Sequence, residues 1–233
     1  MVNKDYEHIF FIDVETVPQC RNFDALSKDA KMHFEKKVRF LIQSEEKTAQ
    51  DLYYEKAGIL SEFNQIICIS VGVLSHDENN KPFFKCRSFY GHDEKTILID
   101  FAKLMSENKK EYPYLCAHNG KEFDFPVICR RMLINGVDLP PQLNVAGKKP
   151  WETAFIDTLD MWKFGDYKHY TSLDLLAHVF GIPSPKDDIS GADVAHVYYE
   201  ENDLDRIVTY CEKDIKTLTK VYMKLAHNTD IDI

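Results

Sequence analysis

Two acids stand two residues apart in the apolar run FFIDVETVPQ, residues 10–19: Asp13 and Glu15. Side chains alternate faces along a strand, so in a strand both carboxylates point the same way. Two like charges about 4 Å apart repel by about 4 kcal/mol at an effective dielectric near 20. Such a pair needs a cation, a proton or open solvent. Taken alone, it is also what an exposed strand edge with two solvated acids looks like. A third acid, Asp124, lies in AHNGKEFDFP, where Asn119 and Gly120 make a turn and Asp124 opens a helix. An ordinary first-turn helix acid has the same appearance. A fourth, Asp214, lies in YCEKDIKT, four residues after Tyr210 and on the same helical face. If the four converge, they make an oxygen-only, strongly negative pocket. That donor set suits a hard divalent cation, Mg²⁺ or Mn²⁺, rather than zinc.

The elements that must position these groups are legible as alternating strands and helices. Residues 9–14 read as a strand. Residues 24–57 are highly charged with apolar positions at loosely helical spacing, which predicts helices. NQIICISVGVL is a nearly all-apolar strand, as expected for burial on both faces. KPFFKCRSFYG follows the polar turn SHDENN as a third strand. DEKTILIDFAKLMSENKK has acids first, lysines last and an apolar stripe, so it reads as a helix. YPYLCAHNG is a short strand running into a turn, and FDFPVICRRMLING a helix ending near Gly136. AFIDTLDMW reads as a fifth strand. TSLDLLAHVFG reads as a helix, with Thr171 and Asp174 as its capping box and Gly181 at its stop. One short and one long helix fill residues 193–226. The pattern predicts an α/β layered fold. Without a repeat or a clear linker, one domain is expected over residues 1–233, with a helical insertion around 20–60.

Composition narrows the function classes. The chain is 44% hydrophobic and 29% charged, as in a soluble globular protein. Its formal net charge of −9 argues against coating long nucleic acid, which rests on many Lys and Arg contacts to phosphates. An enzyme holding a few nucleotides at one strand end stays open. No apolar run approaches the roughly 20 residues needed to cross a membrane. The charged start MVNKDYEHIFF does not read as an export signal. Six scattered cysteines without a CxxC pair read as reduced thiols, so a cytoplasmic protein is expected and a zinc site is not.

Taken together, D-x-E at the end of a first strand, N-x-x-x-F-D after a later strand and Y-x-x-x-D on the last helix resemble the DEDD superfamily of 3′–5′ exonucleases. The tyrosine matches the DEDDy branch. The sister branch has a histidine five residues before the last aspartate, where this chain has Thr209. More closely, FIDVETVP, IICISVG, HNGKEFDFP, FIDTLDMWK, SLDLLAHVFGIPSPKDDISGADV and YCEKDI resemble the stand-alone bacterial relatives of the proofreading domain of family-B DNA polymerases. The resemblance implies a ribonuclease H-like fold, a mixed central sheet of about five strands flanked by helices. It implies Asp13, Glu15, Asp124, Tyr210 and Asp214 as catalytic residues. Two Mg²⁺ or Mn²⁺ ions would be held by the four acids: Asp13 bridging both, Glu15 and Asp214 completing one site, Asp124 supporting the other. Tyr210 would orient the attacking water rather than deprotonate it, since its reference pKa is about 10. The expected substrate is the 3′ end of DNA, single-stranded or frayed. The same chemistry on RNA is the alternative, and a non-catalytic module binding nucleic acid or protein is a minor one. At 233 residues there is no room for a polymerase palm and fingers, so action alone or in trans is expected.

Other positions carry two readings each. Backbone groups around Val14 to Val17, notably Thr16 and Val17, together with Asn119 and Phe123, are candidates for gripping the terminal nucleotide. Phe123 is equally a core residue. Lys121, Lys163, Lys168 and Lys186 are candidate phosphate contacts or simply solvated lysines. Asp157, in FIDTLD, is a fifth acid for the metals or a helix cap, and the cap is preferred. His118 and His169 are expected to be structural.

Overall fold

The structure, a computed structural model, describes residues 6–79, 81–108, 112–183 and 188–233. Its elements run β1 (Ile9–Pro18), α1 (Lys28–Glu45), α2 (Ala49–Lys56), β2 (Asn64–His76), β3 (Pro82–Tyr90), α3 (Glu94–Glu107), β4 (Tyr114–Ala117), α4 (Asp124–Asn135), β5 (Phe155–Asp157), α5 (Thr158–Lys163), α6 (Leu173–Val179), α7 (Val194–His196) and α8 (Leu204–His227). The five strands form one mixed sheet in the order β3-β2-β1-β4-β5. β1 is antiparallel to β2 and parallel to β4, β3 is antiparallel to β2, and β5 is parallel to β4. With helices on both faces this is a ribonuclease H-like α/β fold. No described helix is long and apolar enough to cross a membrane.

β1 sorts its side chains between two cores. Phe10, Ile12 and Val14 pack with Leu98 and Phe101 of α3 and Ile128 of α4. Ile9 and Phe11 face the other way, against Ile215, Leu218 and Tyr222 of α8. Burying both faces explains why β1 and β2 read as near-continuous apolar runs. α8 lies close on the sheet because β2 has a glycine beneath it. A Cβ on Gly72 would sit 2.6 Å from Cγ2 of Ile215 and 2.6 Å from the Phe84 ring.

Three expectations shift. The fifth strand is only Phe155–Asp157, because the Asp157 carboxylate accepts the Leu159 amide and starts α5 there. Ser172, not Thr171, caps α6 by accepting from Leu175 N; the Thr171 carbonyl is taken by His118. β1 runs on to Pro18, four residues past Val14. The charged 20–60 stretch does form helices. α1 and α2 close over their own core of Phe23, Phe34, Leu52, Tyr53 and Phe63. That core is tied to the end of β1 by Thr16 Oγ1 donating to Gly58 O (2.6 Å) and Gln19 N donating to Phe63 O (2.8 Å).

A buried ion pair locks α4 in place. Glu94 accepts from Ile66 N of β2 (2.7 Å), from Nε and Nη2 of Arg131 (2.8 and 2.5 Å) and from Asn135 Nδ2 (2.8 Å). Every oxygen is satisfied, so removing one partner strands a buried charge. Glu94→Ala is expected to cost about 3–5 kcal/mol, read as a lower urea midpoint. A loss below about 1 kcal/mol would show that the network does not hold α4.

Candidate active site

Five of the residues read from the sequence meet at one end of the sheet. β1 makes its last pair with β4 at Phe11↔Cys116 and continues without that neighbour. On its α8 side it presents Asp13 and Glu15 in alternation with the core face. The bulge opposite places its extra residue, Ile67, on β2, since Glu15 pairs with Cys68 and Thr16 with Ile66. The alternation along β1 is therefore unbroken, and Val17 joins the same side against Ile207 and Tyr210 of α8. α8 lays Tyr210, Cys211 and Asp214 over the acids. Cys211 Sγ donates to Oδ2 of Asp13 (3.2 Å), and Tyr210 is hydrogen-bonded to Asp214 one turn on. Asp13, Glu15 and Cys211 each offer a ligand atom, all within 4.8 Å of one another.

Asp124 arrives as the first residue of α4, where the helix dipole favours a carboxylate. It accepts its own amide and the amide of Val14, which Asp13 also uses. The turn before it is tightly specified. Asn119 adopts a left-handed φ of 59°, and a Cβ on Gly120 would fall 2.3 Å from Ala117 Cβ. Asp157 holds that turn from β5: Oδ1 accepts Asn119 N and Leu159 N (both 2.9 Å), and Oδ2 accepts Lys121 N (3.0 Å). Its oxygens are thus engaged by backbone amides, which is the capping role preferred from the sequence.

The electrostatics are those of crowded acids. Burial, then the Asp124 charge, pushes Asp13 up to about 7, with the Cys211 thiol and the Val14 amide pulling the other way. Burial likewise raises Asp124 to about 7, with the Asp157 and Asp214 charges adding to it. Glu15, only 8% exposed, goes well above its usual value through burial and the charges of Asp13 and Asp214. What offsets these shifts is amide and thiol hydrogen bonding. Burial and the same acids raise the Tyr210 phenol, so it stays protonated near neutrality. Burial, with Cys68, Asp13 and Glu15 nearby, also raises Cys211, so it acts as a thiol donor and leaves an all-oxygen donor set.

The weaker candidates divide. Thr16 gives its hydroxyl to Gly58 and Val17 is wholly buried, which leaves their backbone groups as the candidates for a nucleotide. Asn119 N is held by Asp157, and half-buried Phe123 packs on the α3–α4 core. Lys121 and Lys163 both bind the Asp160 carboxylate (3.1 and 3.0 Å). Lys168 and His169 are exposed, and Lys186 lies outside the described residues. His118 is structural: Nε2 donates to Thr171 O (2.8 Å), Nδ1 accepts from Thr158 Oγ1 (2.9 Å), and burial lowers its pKa and keeps it neutral. Cys211 is the residue that sequence reasoning missed. Its position three before Asp214 on the acid-bearing helix was the available signal.

A family described as "predicted 3′–5′ exonuclease related to the exonuclease domain of PolB" matches residues 59–231, well over half of the chain. The chain belongs to this family. Of solved structures, it is similar to the family B DNA polymerase from the hyperthermophilic archaeon Pyrobaculum calidifontis, at 14% identity and a TM-score of 0.55. That likeness covers 93% of this chain and 24% of the polymerase, and it shows the shared fold. No curated protein matches. β1, with Asp13 and Glu15, precedes the segment matched by the family.

The raised acids predict an inverted pH dependence for their share of stability. An acid whose folded pKa exceeds its unfolded value keeps a proton that the unfolded chain has lost. Its contribution to stability therefore falls as pH rises from about 4 to about 7 and stays low above that. In EDTA, Asp13→Asn should melt higher than the unmodified protein at pH 8, with the gap closing toward pH 5. Equal melting temperatures at both pH values would contradict the repulsion.

Proposed function

We propose that this chain is a metal-dependent 3′–5′ exonuclease of the DEDDy type that removes nucleotides from the 3′ end of single-stranded or frayed DNA. The observation that carries this reading is the crowding of Asp13, Glu15, Asp124 and Asp214, three of them buried and Asp13 half-buried, with backbone amides and the Cys211 thiol as the offsetting groups. That arrangement fits divalent cations, and its oxygen donors fit Mg²⁺ or Mn²⁺. Asp13, Glu15 and Asp214 would hold one ion, with Asp13 shared and Asp124 supporting a second. Two such ions, when bound, supply Lewis-acid stabilisation of the attacking and leaving oxygens of a phosphodiester.

The chain's own residues do the rest. Tyr210, protonated and hydrogen-bonded to Asp214, would hydrogen-bond the attacking water and orient it. In-line attack of that water on phosphorus breaks the bond to the 3′ oxygen of the preceding nucleotide. The products are a 5′-mononucleotide and a strand one residue shorter with a 3′ hydroxyl. The Asp157 carboxylate positions the turn that carries Asp124 and takes no part in the reaction. We read the chain as one exonuclease domain working in the cytoplasm, with α1 and α2 as an insertion after β1. The separate core that α1 and α2 close over, Phe23, Phe34, Leu52, Tyr53 and Phe63, supports the insertion.

A 5′-labelled single-stranded DNA and a matched RNA, each with Mn²⁺, test the reading. DNA should shorten stepwise from its 3′ end, faster than RNA, and EDTA should stop it. Asp214→Ala should abolish the ladder. Tyr210→Phe should lower kcat by roughly ten- to a hundredfold with little change in KM. Full activity in Asp214→Ala would remove the acids from the mechanism, and preferential shortening of RNA would replace the substrate.

A further inference from the structure

The segment between α5 and α6 exposes three aromatic rings at intervals of three residues: Phe164 (87% exposed), Tyr167 (77%) and Tyr170 (66%). Water-facing rings at this density call for an occupant. The backbone holds the first of them in an unfavourable conformation. Phe164 has a left-handed φ of 43°, followed by Gly165 at 92°, a combination that a bulky residue rarely adopts. Lys163 props the second ring, its Nζ lying 5.5 Å from the Tyr167 centroid. The third ring sits edge-on to His118, with centroids 6.3 Å apart.

The segment is fastened to the candidate active site at both ends. α5 grows out of Asp157, which holds the Asn119–Lys121 turn, and Thr171 accepts the Nε2 proton of His118. The charges of Asp124 and Asp157 are felt at the Tyr170 hydroxyl. The segment that carries the rings is therefore anchored at the candidate active site, with Tyr170 beside His118 and within reach of the Asp124 charge. Lys121 and Lys163 are both engaged by Asp160, which leaves Lys168 and His169, exposed between Tyr167 and Tyr170, as the cationic groups of the segment in a chain of net charge −9. With so few free cations for the phosphates, three exposed rings make base stacking the larger part of any grip on a single strand at this edge.

We infer that Phe164, Tyr167 and Tyr170 form a stacking platform for the unpaired bases just 5′ of the nucleotide at the carboxylates. This rests on the exonuclease reading for its occupant, a single-stranded 3′ end. Stacking accepts every base, so the platform grips without sequence preference and refuses a paired terminus until it frays.

The test is direct binding of 5′-fluorescein-labelled oligothymidine by anisotropy, in Ca²⁺ to hold the strand without turnover, using the full chain. Phe164→Ala and Tyr167→Ala should each raise Kd about tenfold, the scale of one lost base stack, with a shallow salt dependence. Tyr167→Phe and Phe164→Tyr, which keep a ring, should restore affinity. Both positions are exposed, so a folding failure does not cloud the result. Unchanged Kd in the alanine variants, or no binding by the unmodified protein, overturns the platform. Cleavage in Mn²⁺ is scored in parallel. Ring-dependent binding without cleavage supports the platform and removes the exonuclease reading. Cleavage with ring-independent binding does the reverse.

Discussion

Mutual repulsion among crowded carboxylates, three buried and one half-buried, is the constraint around which this molecule is arranged. Asp13, Glu15, Asp124 and Asp214 reach one small volume from β1, the start of α4 and the middle of α8. At an effective dielectric near 20, each pair about 4 Å apart costs about 4 kcal/mol when both are charged. Folding alone does not relieve that cost. It is met by protons on the raised acids, by amides of Val14 and Asp124, by the Cys211 thiol and, in the account given above, by divalent cations.

The rest of the structure keeps the acids close despite that repulsion. Gly72 lets α8 press onto β2, so Asp214, next to Ile215, stays within reach of Glu15. Gly120 allows the tight turn that delivers Asp124, and Asp157 fixes that turn through the amides of Asn119 and Lys121. Glu94 and Arg131 brace α4 from behind against β2. Hydrophobic burial on both faces of β1 makes the strand too costly to shift. Rigidity is bought from packing, and the polar site inherits it.

Much of this was legible in the sequence where a period or a pair was local. The shared face of Asp13 and Glu15 follows from the alternation of a strand, and that of Tyr210 and Asp214 from a helical turn. Their convergence is a matter of topology, which no local spacing encodes, and it came from the resemblance to a family. The tentative substrate contacts fared differently. The side chains of Thr16 and Val17 are committed to Gly58 and to the core, because a strand period does not say which neighbour closes over a face, so their candidacy rests on backbone groups as it did in the sequence. Ser172 took the cap expected of Thr171, since adjacent hydroxyls compete and the backbone decides. Phe164, Tyr167 and Tyr170 gave no periodic signal that separates a platform from a loop, and only their exposure marks them.

The most direct measurement is a titration of the protein with Mn²⁺ followed by the electron paramagnetic resonance signal of the free aqueous ion. The carboxylate centre predicts that added Mn²⁺ is taken up by the unmodified chain, toward about two ions per chain, and stays free in an Asp13→Asn, Asp214→Ala double variant. A signal that grows from the first addition with the unmodified chain, or equal uptake by the double variant, would contradict the account.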